Sequence, residues 1–251
     1  MRQNFLRSFL FNLTSFTTQT TRQTTKMDYF TSLNNNWITS LVSSPEYDAI
    51  ATDSRVAKPS GEDSYFGAVL ATDTTIPHVL TLRRKEERAS PASGPPPALA
   101  PTASASSAPA VNPPDVVLVV ALGSPGICGH PETVHGGVVA TLLDEAMSLA
   151  VSTQVPGAGT GTIQGEQNQQ NPRGKIYTAQ LDVRYKRPLL VPAVAVVKAK
   201  VVARQGRKFW VRAQVVQEER NEQAERHLEW PKRKVVTTDA MAFWLQTKPS
   251  L

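Results

Sequence analysis

The chain has one cysteine, Cys128, in 251 residues. That excludes an intrachain disulfide and a zinc site built from paired cysteines, and it fits a reducing compartment. Long apolar runs are missing too. The longest, Val116–Leu122 (VVLVVAL), is far too short to span a bilayer and fits a buried strand, so no transmembrane segment is expected. There is no Gly-x-Ser-x-Gly elbow; Gly123-Ser124-Pro125-Gly126 reads as a turn, which argues against an α/β-hydrolase. The four histidines (His78, His130, His135 and His227) lack ligand spacing, so no metal is expected. Internal repeats and βαβ alternation are also missing. No acid precedes Asp28, and the first segment holds Arg2, Arg7, Arg22 and Lys26.

The net charge is +6, with local clusters at Arg83-Arg84-Lys85 and Lys232-Arg233-Lys234. Both clusters have acids nearby and read as solvated faces. No RNP-like, zinc-finger or helix-turn-helix signature is present, so nucleic acid is not an expected partner. A mild basic excess fits a phosphate-bearing small molecule equally well.

Residues 1–62 read as an N-terminal extension. Its first 27 residues are rich in Ser, Thr and Arg, and Phe5, Leu6, Phe9, Leu10 and Leu13 can share one helical face. That is the composition of a mitochondrial transit peptide. The alternatives are a disordered tail, or translation beginning at Met27, with a cytoplasmic protein as the result. Helix-like spacing covers Trp37–Val42. Ser44 and Pro45 are placed to start a second short helix over 43–50.

Residues 63–247 read as one domain. Strands are expected at Val79–Arg84 and Val116–Leu122. Three stretches, 89–114, 156–174 and 218–234, are expected to be disordered insertions, the first because it is almost all Pro, Ala and Ser. From Lys175 the pattern turns to strands. Tyr177, Ala179, Leu181, Val183 and Tyr185 alternate with Thr178, Gln180, Asp182 and Arg184, with one face buried. Further strands are expected at 193–205, 207–217 and 235–246. One apolar helix followed by a meander predicts an α+β domain with an antiparallel sheet wrapped around that helix.

The helix lies in Thr133–Val151, TVHGGVVATLLDEAMSLAV, with two carboxylates in its apolar run. Gly137, Ala140, Thr141, Met147, Ser148 and Val151 fall within about 60° of Asp144, a front of mostly small or polar residues. Val138, Val139, Leu142, Ala146, Leu149 and Ala150 form the back. Glu145 sits about 100° off the front, on the flank. Gly136-Gly137 permits close approach to the first turn, whose N–H groups have no intrahelical partners and suit a developing oxyanion. The pattern alone leaves two readings of Asp144 open: a reactive carboxylate, or a bond to a neighbouring chain.

His135-Gly136-Gly137 followed by Ala140-Thr141-Leu142-Leu143-Asp144-Glu145-Ala146 resembles the central motif of hotdog-fold acyl-CoA thioesterases. Thr178–Pro188, TAQLDVRYKRP, looks like the strand after the helix in the PaaI-like and mitochondrial thioesterase superfamily members of that group. The resemblance covers roughly 115–245. It implies a hotdog fold and hydrolysis of acyl-CoA to free acid and CoA without metal or cofactor. It also implies a homodimer or homotetramer with sites between subunits.

By the same resemblance Asp144 is the catalytic carboxylate, as general base or nucleophile, and the Gly136 N–H polarises the thioester carbonyl. His135 shapes that loop, and Thr178 of the other subunit orients water. Gly137, His130, Lys186 and Arg187 are the candidate substrate-binding residues. Some relatives have an asparagine where this chain has Gly129, and His130 beside it is either a stand-in or a loop residue. A non-catalytic hotdog protein that binds acyl-CoA or acts as a scaffold is the competing function.

Overall fold

In the computed structural model the described residues are 26–56, 58–85, 91–94, 110–155, 174–220 and 233–248. The expected import segment, except for its last two residues, lies outside them, as does most of each expected insertion. The elements are α1 (26–31), α2 (Asn36–Val42), β1 (Tyr47–Ile50), β2 (Val79–Arg84), β3 (Ala92–Ser93), β4 (Val116–Leu122), β5 (Cys128–His130), β6 (Thr133–Val134), α3 (Gly136–Ser152), β7 (Ile176–Tyr185), β8 (Ala193–Gln205), β9 (Lys208–Glu218) and β10 (Lys234–Gln246). The main sheet runs β1-β2-β4-β8-β9-β10-β7, all antiparallel, and β3 pairs parallel with the end of β8. β7 therefore ends the sheet on one side.

α3 packs across β8, β9, β4, β7 and β10, so the sheet curls around one central helix. This is the α+β hotdog arrangement the sequence predicted. Leu142, Leu143, Ala146, Met147, Ala150 and Val151 are fully buried against the sheet. Met147 and Val151 were expected on the small-residue front. The curled sheet covers more of the helix than a flat layer would and takes them into the core. Burying each large one stabilises the fold by about 1.5–3 kcal/mol.

β4 shows why VVLVVAL lacks alternation: both of its faces are covered. Val116, Leu118, Val120 and Leu122 face α3, while Val117, Val119 and Ala121 face α1 and α2. Phe30 and Ile38 from those helices are fully buried on that outer face with Leu80 and Leu82. Asn35 caps α2, its side chain accepting from the Ile38 N–H at 3.0 Å.

The helix expected over 43–50 does not form. Ser44 Oγ accepts from the Glu46 N–H, which makes a turn, and Tyr47–Ile50 then pairs with Thr81–Arg84 as the β1 edge strand. Sheet hydrogen bonds to β2 outweigh a short, uncovered helix there.

Candidate active site

His135 caps α3. Its backbone is extended (φ −59°, ψ 135°) and its Nδ1 accepts from the Gly137 N–H at 3.0 Å. That bond occupies the Gly137 donor and leaves Gly136 as the glycine to face a ligand. Tyr185, from the end of β7, donates its hydroxyl to the Gly136 carbonyl at 2.9 Å and fixes the first turn from outside. Gly129 lies against His135: a Cβ there would sit 3.0 Å from the His135 Cα. A side chain at 129 would therefore press on the cap. His130, next to it, is exposed in the small β5–β6 hairpin.

Asp144 and Glu145 diverge. Asp144 lines a cavity of about 490 Å³ with Thr178, Ser148, Tyr177 and Trp244, and Glu145 does not. Thr178 Oγ1 donates to Asp144 Oδ1 at 2.7 Å. Burial raises the Asp144 carboxyl pKa above its ordinary value, and the Thr178 hydrogen bond offsets only part of that. Glu145 is also pushed up, first by burial and further by the Asp144 and Asp63 charges. Ser54 and Arg55 draw it partly back. Arg55 in turn donates to the carbonyls of Phe66 (2.7 Å), Leu70 (3.1 Å) and Ile76 (2.6 Å). Glu145 thus faces the turn that anchors the N-terminal segment, and Asp144 faces open space.

Strict alternation along β7 would put Thr178 with Gln180 and Asp182, on the side away from the helix. The pairing shows otherwise. Phe243 pairs with Gln180 but Trp244 pairs with Thr178, so Ala179 is an extra residue. This β-bulge reverses the parity and turns Thr178 toward α3.

One expectation changes. Thr178 was expected from the other subunit, but it reaches the Asp144 of its own chain. Gly136 and Asp144 stand eight residues apart on one helix, about 12 Å along its axis. One carbonyl cannot touch both within one chain.

Lys186 and Arg187 do not approach the cavity residues. Lys186 pairs with Asp239 at 3.0 Å, and Arg187 pairs with Glu219 at 3.0 Å. Asp239 lies on the sheet face away from α3, since its neighbour Ala240 is in the α3 core. Arg212 and Asp239 are both buried there and form two hydrogen bonds, at 3.1 and 2.7 Å. Among the described residues no cluster of His, Cys, Asp and Glu could hold a metal ion, and no helix is long and apolar enough to cross a membrane. His227 lies outside those residues. Tyr185, Trp244 and the 53–63 wall were not singled out from sequence. Tyr185 carried a weak signal, as an aromatic residue closing an alternating strand. Trp244 carried none.

Residues 132–224 match the thioesterase superfamily. Similar solved structures include a protein from Bacillus halodurans determined with CoA, at 19% identity over 51% of this chain and 65% of that one, with a TM-score of 0.35. A hexameric hotdog fold thioesterase of Campylobacter jejuni is 16% identical over 49% of this chain and 77% of its own, with a TM-score of 0.37. The PaaI protein of the E. coli phenylacetic acid degradation operon is 11% identical over 54% and 74%, with a TM-score of 0.38. The chain spans just under two thirds of the length of the Bacillus halodurans protein.

Proposed function

We propose that this chain, whose residues 132–224 match the thioesterase superfamily, hydrolyses acyl-CoA thioesters and that Asp144 is the reacting carboxylate. The observation that carries the reading is the Asp144–Thr178 pair on the cavity, at 2.7 Å. A carboxylate whose basicity is raised by burial is a better proton acceptor than one in water. As general base it takes a proton from water while the water oxygen attacks the thioester carbonyl carbon. The tetrahedral oxyanion then collapses, the C–S bond breaks, and the CoA sulfur leaves as thiolate and is protonated. As nucleophile, Asp144 would instead form a mixed anhydride that water opens. Thr178 holds Oδ1 in either case and leaves Oδ2 to react.

The oxyanion donor is the Gly136 N–H at the start of α3, and it belongs to a second copy of the chain. Helix geometry supports this reading, because the donor and the carboxylate of one chain stand about 12 Å apart along the axis. β7 ends the sheet, and Tyr177 (53% exposed) and Tyr185 (55% exposed) stand on it. Pairing along this strand is the route to the homodimer. A mitochondrial location, through residues 1–27, belongs to the same proposal.

The test is release of free CoA from a panel of acyl-CoAs by wild type, Asp144→Asn and Glu145→Gln. Loss in Asp144→Asn alone supports the assignment. Binding without hydrolysis by wild type would leave the protein a non-catalytic acyl-CoA binder.

A further inference from the structure

The charges of this sheet are sorted by end. Residues 198–217 hold Lys198, Lys200, Arg204, Arg207, Lys208 and Arg212 and no acid, while 174–181 and 240–248 add Lys175 and Lys248, again without an acid. The fold brings these stretches together. Gln205 pairs with Lys208, Lys208 with Leu245 and Leu245 with Tyr177, so the β8–β9 turn, the end of β10 and the start of β7 meet at one end of the sheet. Glu218 closes the opposite end of β9.

The basic end also has an apolar row on its outer face. Phe209, Val211, Ala242 and Trp244 belong to the α3 core, so Lys208, Trp210, Phe243 and Leu245 stand on the other side of the sheet. Lys200 joins them, since its neighbours Ala199 and Val201 belong to the α3 core. Trp210 and Phe243 lie ring to ring, with centroids 5.2 Å apart, and both are partly exposed. Leu245 is 37% exposed. The cluster under α1 and α2 holds Leu80, Val117 and Val196 but none of these residues. Among the described residues neither Lys200 nor Lys208 forms a salt bridge. The acids further along this face are engaged: Asp182 accepts from Gln180, and Asp239 is held by Arg212 and Lys186. What stands at this end is an apolar row flanked by cations.

We propose that this end of the outer face docks on the anionic surface of a lipid bilayer, with Trp210, Phe243 and Leu245 entering the headgroup region and Lys200 and Lys208 meeting lipid phosphates. Charge complementarity carries the choice of partner: an acid-free cluster of lysines and arginines is drawn to a negative leaflet. Aromatic rings and long cationic side chains are also the groups that settle at headgroup level. Leu245 separates this partner from a nucleic acid. It offers a base nothing to stack on, whereas a bilayer takes up an aliphatic side chain. The cavity beside Asp144 fits the same orientation, because Ile176 and Trp244, from these strand ends, line it. Docking itself does not depend on hydrolysis.

The experiment sediments the full chain with vesicles of phosphatidylcholine alone, or of phosphatidylcholine with about one phosphatidylserine in three lipids. No acyl-CoA is present, so the result is read separately from hydrolysis. Wild type should associate with the anionic vesicles at least about tenfold more tightly than with the neutral ones, and added salt should weaken that association. Lys200→Gln combined with Lys208→Gln should weaken it by about 25-fold, roughly fivefold for each lysine. Leu245→Ser, which leaves the charges in place, should weaken it by about three- to tenfold. Thermal melts verify that the variants are folded. Equal association of wild type with both vesicles, or association unchanged in the folded variants, overturns the proposal. Light scattering without lipid covers the other occupant: a wild-type oligomer that Leu245→Ser dissociates would make this face a contact between copies of the chain, and would overturn it too.

Discussion

Thr178 and Asp144 meet across the gap between β7 and α3 because one extra residue, Ala179, interrupts the strand's alternation. Were Ala179 paired in the ladder, the hydroxyl would lie on the far face of the sheet. Deleting Ala179 would set Thr178 beside Gln180 in regular alternation, still opposite Trp244 and toward α3, so that variant should retain turnover. Thr178→Val should lower kcat by about 10- to 100-fold, and Thr178→Ser should keep most of it. Steady-state kinetics on the three variants checks this.

Asp144→Asn should lower kcat by about 10²- to 10⁴-fold. It should also stabilise the protein. The folded pKa of Asp144 is raised, so the folded state binds this proton more tightly than the unfolded chain. The penalty is absent well below the ordinary value of 3.8 and grows as pH rises toward the folded pKa. Thermal melts should show the variant about 2–4 °C more stable at neutral pH, with the gap closing in acid. Activity should fall as pH drops through the raised pKa, the reverse of the stability effect.

Asp239 behaves in the opposite way. Burial alone would raise its pKa, but Arg212 and Lys186 outweigh burial and hold it below 3.8. Its contribution to stability is therefore present above 3.8 and lost as pH falls through the depressed folded value. Asp239→Asn should destabilise by about 3–5 kcal/mol, because it leaves the buried Arg212 without its carboxylate. Asp239→Asn should retain kcat at temperatures where it is folded, since Asp239 lies on the outer face. Urea unfolding at neutral and acid pH measures the stability terms.

The two-chain site makes a prediction of its own. Pro is well tolerated at the first position of a helix, and the extended His135 backbone suits the residue before a proline. Gly136→Pro should remove the donor and keep the helix, at a cost of about 10²- to 10³-fold in kcat. Co-expressing Gly136→Pro with Asp144→Asn should restore about a quarter of wild-type activity, because half of the random dimers would then hold one intact site of two. No recovery would place both groups in one chain.

Tyr185→Phe tests the outer support of the same turn. The variant loses the 2.9 Å bond to the Gly136 carbonyl and little else. The loss of one such bond should lower kcat about two- to tenfold with KM nearly unchanged. A change in KM alone would make Tyr185 a substrate contact instead.

The fold was legible because its signals are local. The apolar helix, the Gly206 turn between β8 and β9 and the period-two strands each specify their own element. The site was only half legible. Periodicity put Asp144 on a small-residue front, but it also put Thr178 on the wrong face, because a bulge leaves no mark in an alternating pattern. Helix geometry already set Glu145 on the flank, but what it faces there, Ser54 and Arg55, lies some ninety residues away in the chain. The short helix expected at 43–50 failed for the same reason: its pairing partner, Thr81–Arg84, is distant in sequence.

The two-sided burial of β4 also bears on where this protein can be cut. The superfamily match begins at residue 132, after β4, and ends at 224, before β10. A fragment with those limits would keep α3, β7, β8 and β9 but strip both neighbours from the β8–β9 pair. Val196 and Val197 would lose the β4 strand that pairs with them. Such a piece would present bare strand edges and apolar faces to solvent, which is a recipe for aggregation. The smallest unit that can stand alone has to begin near α1 and end after β10.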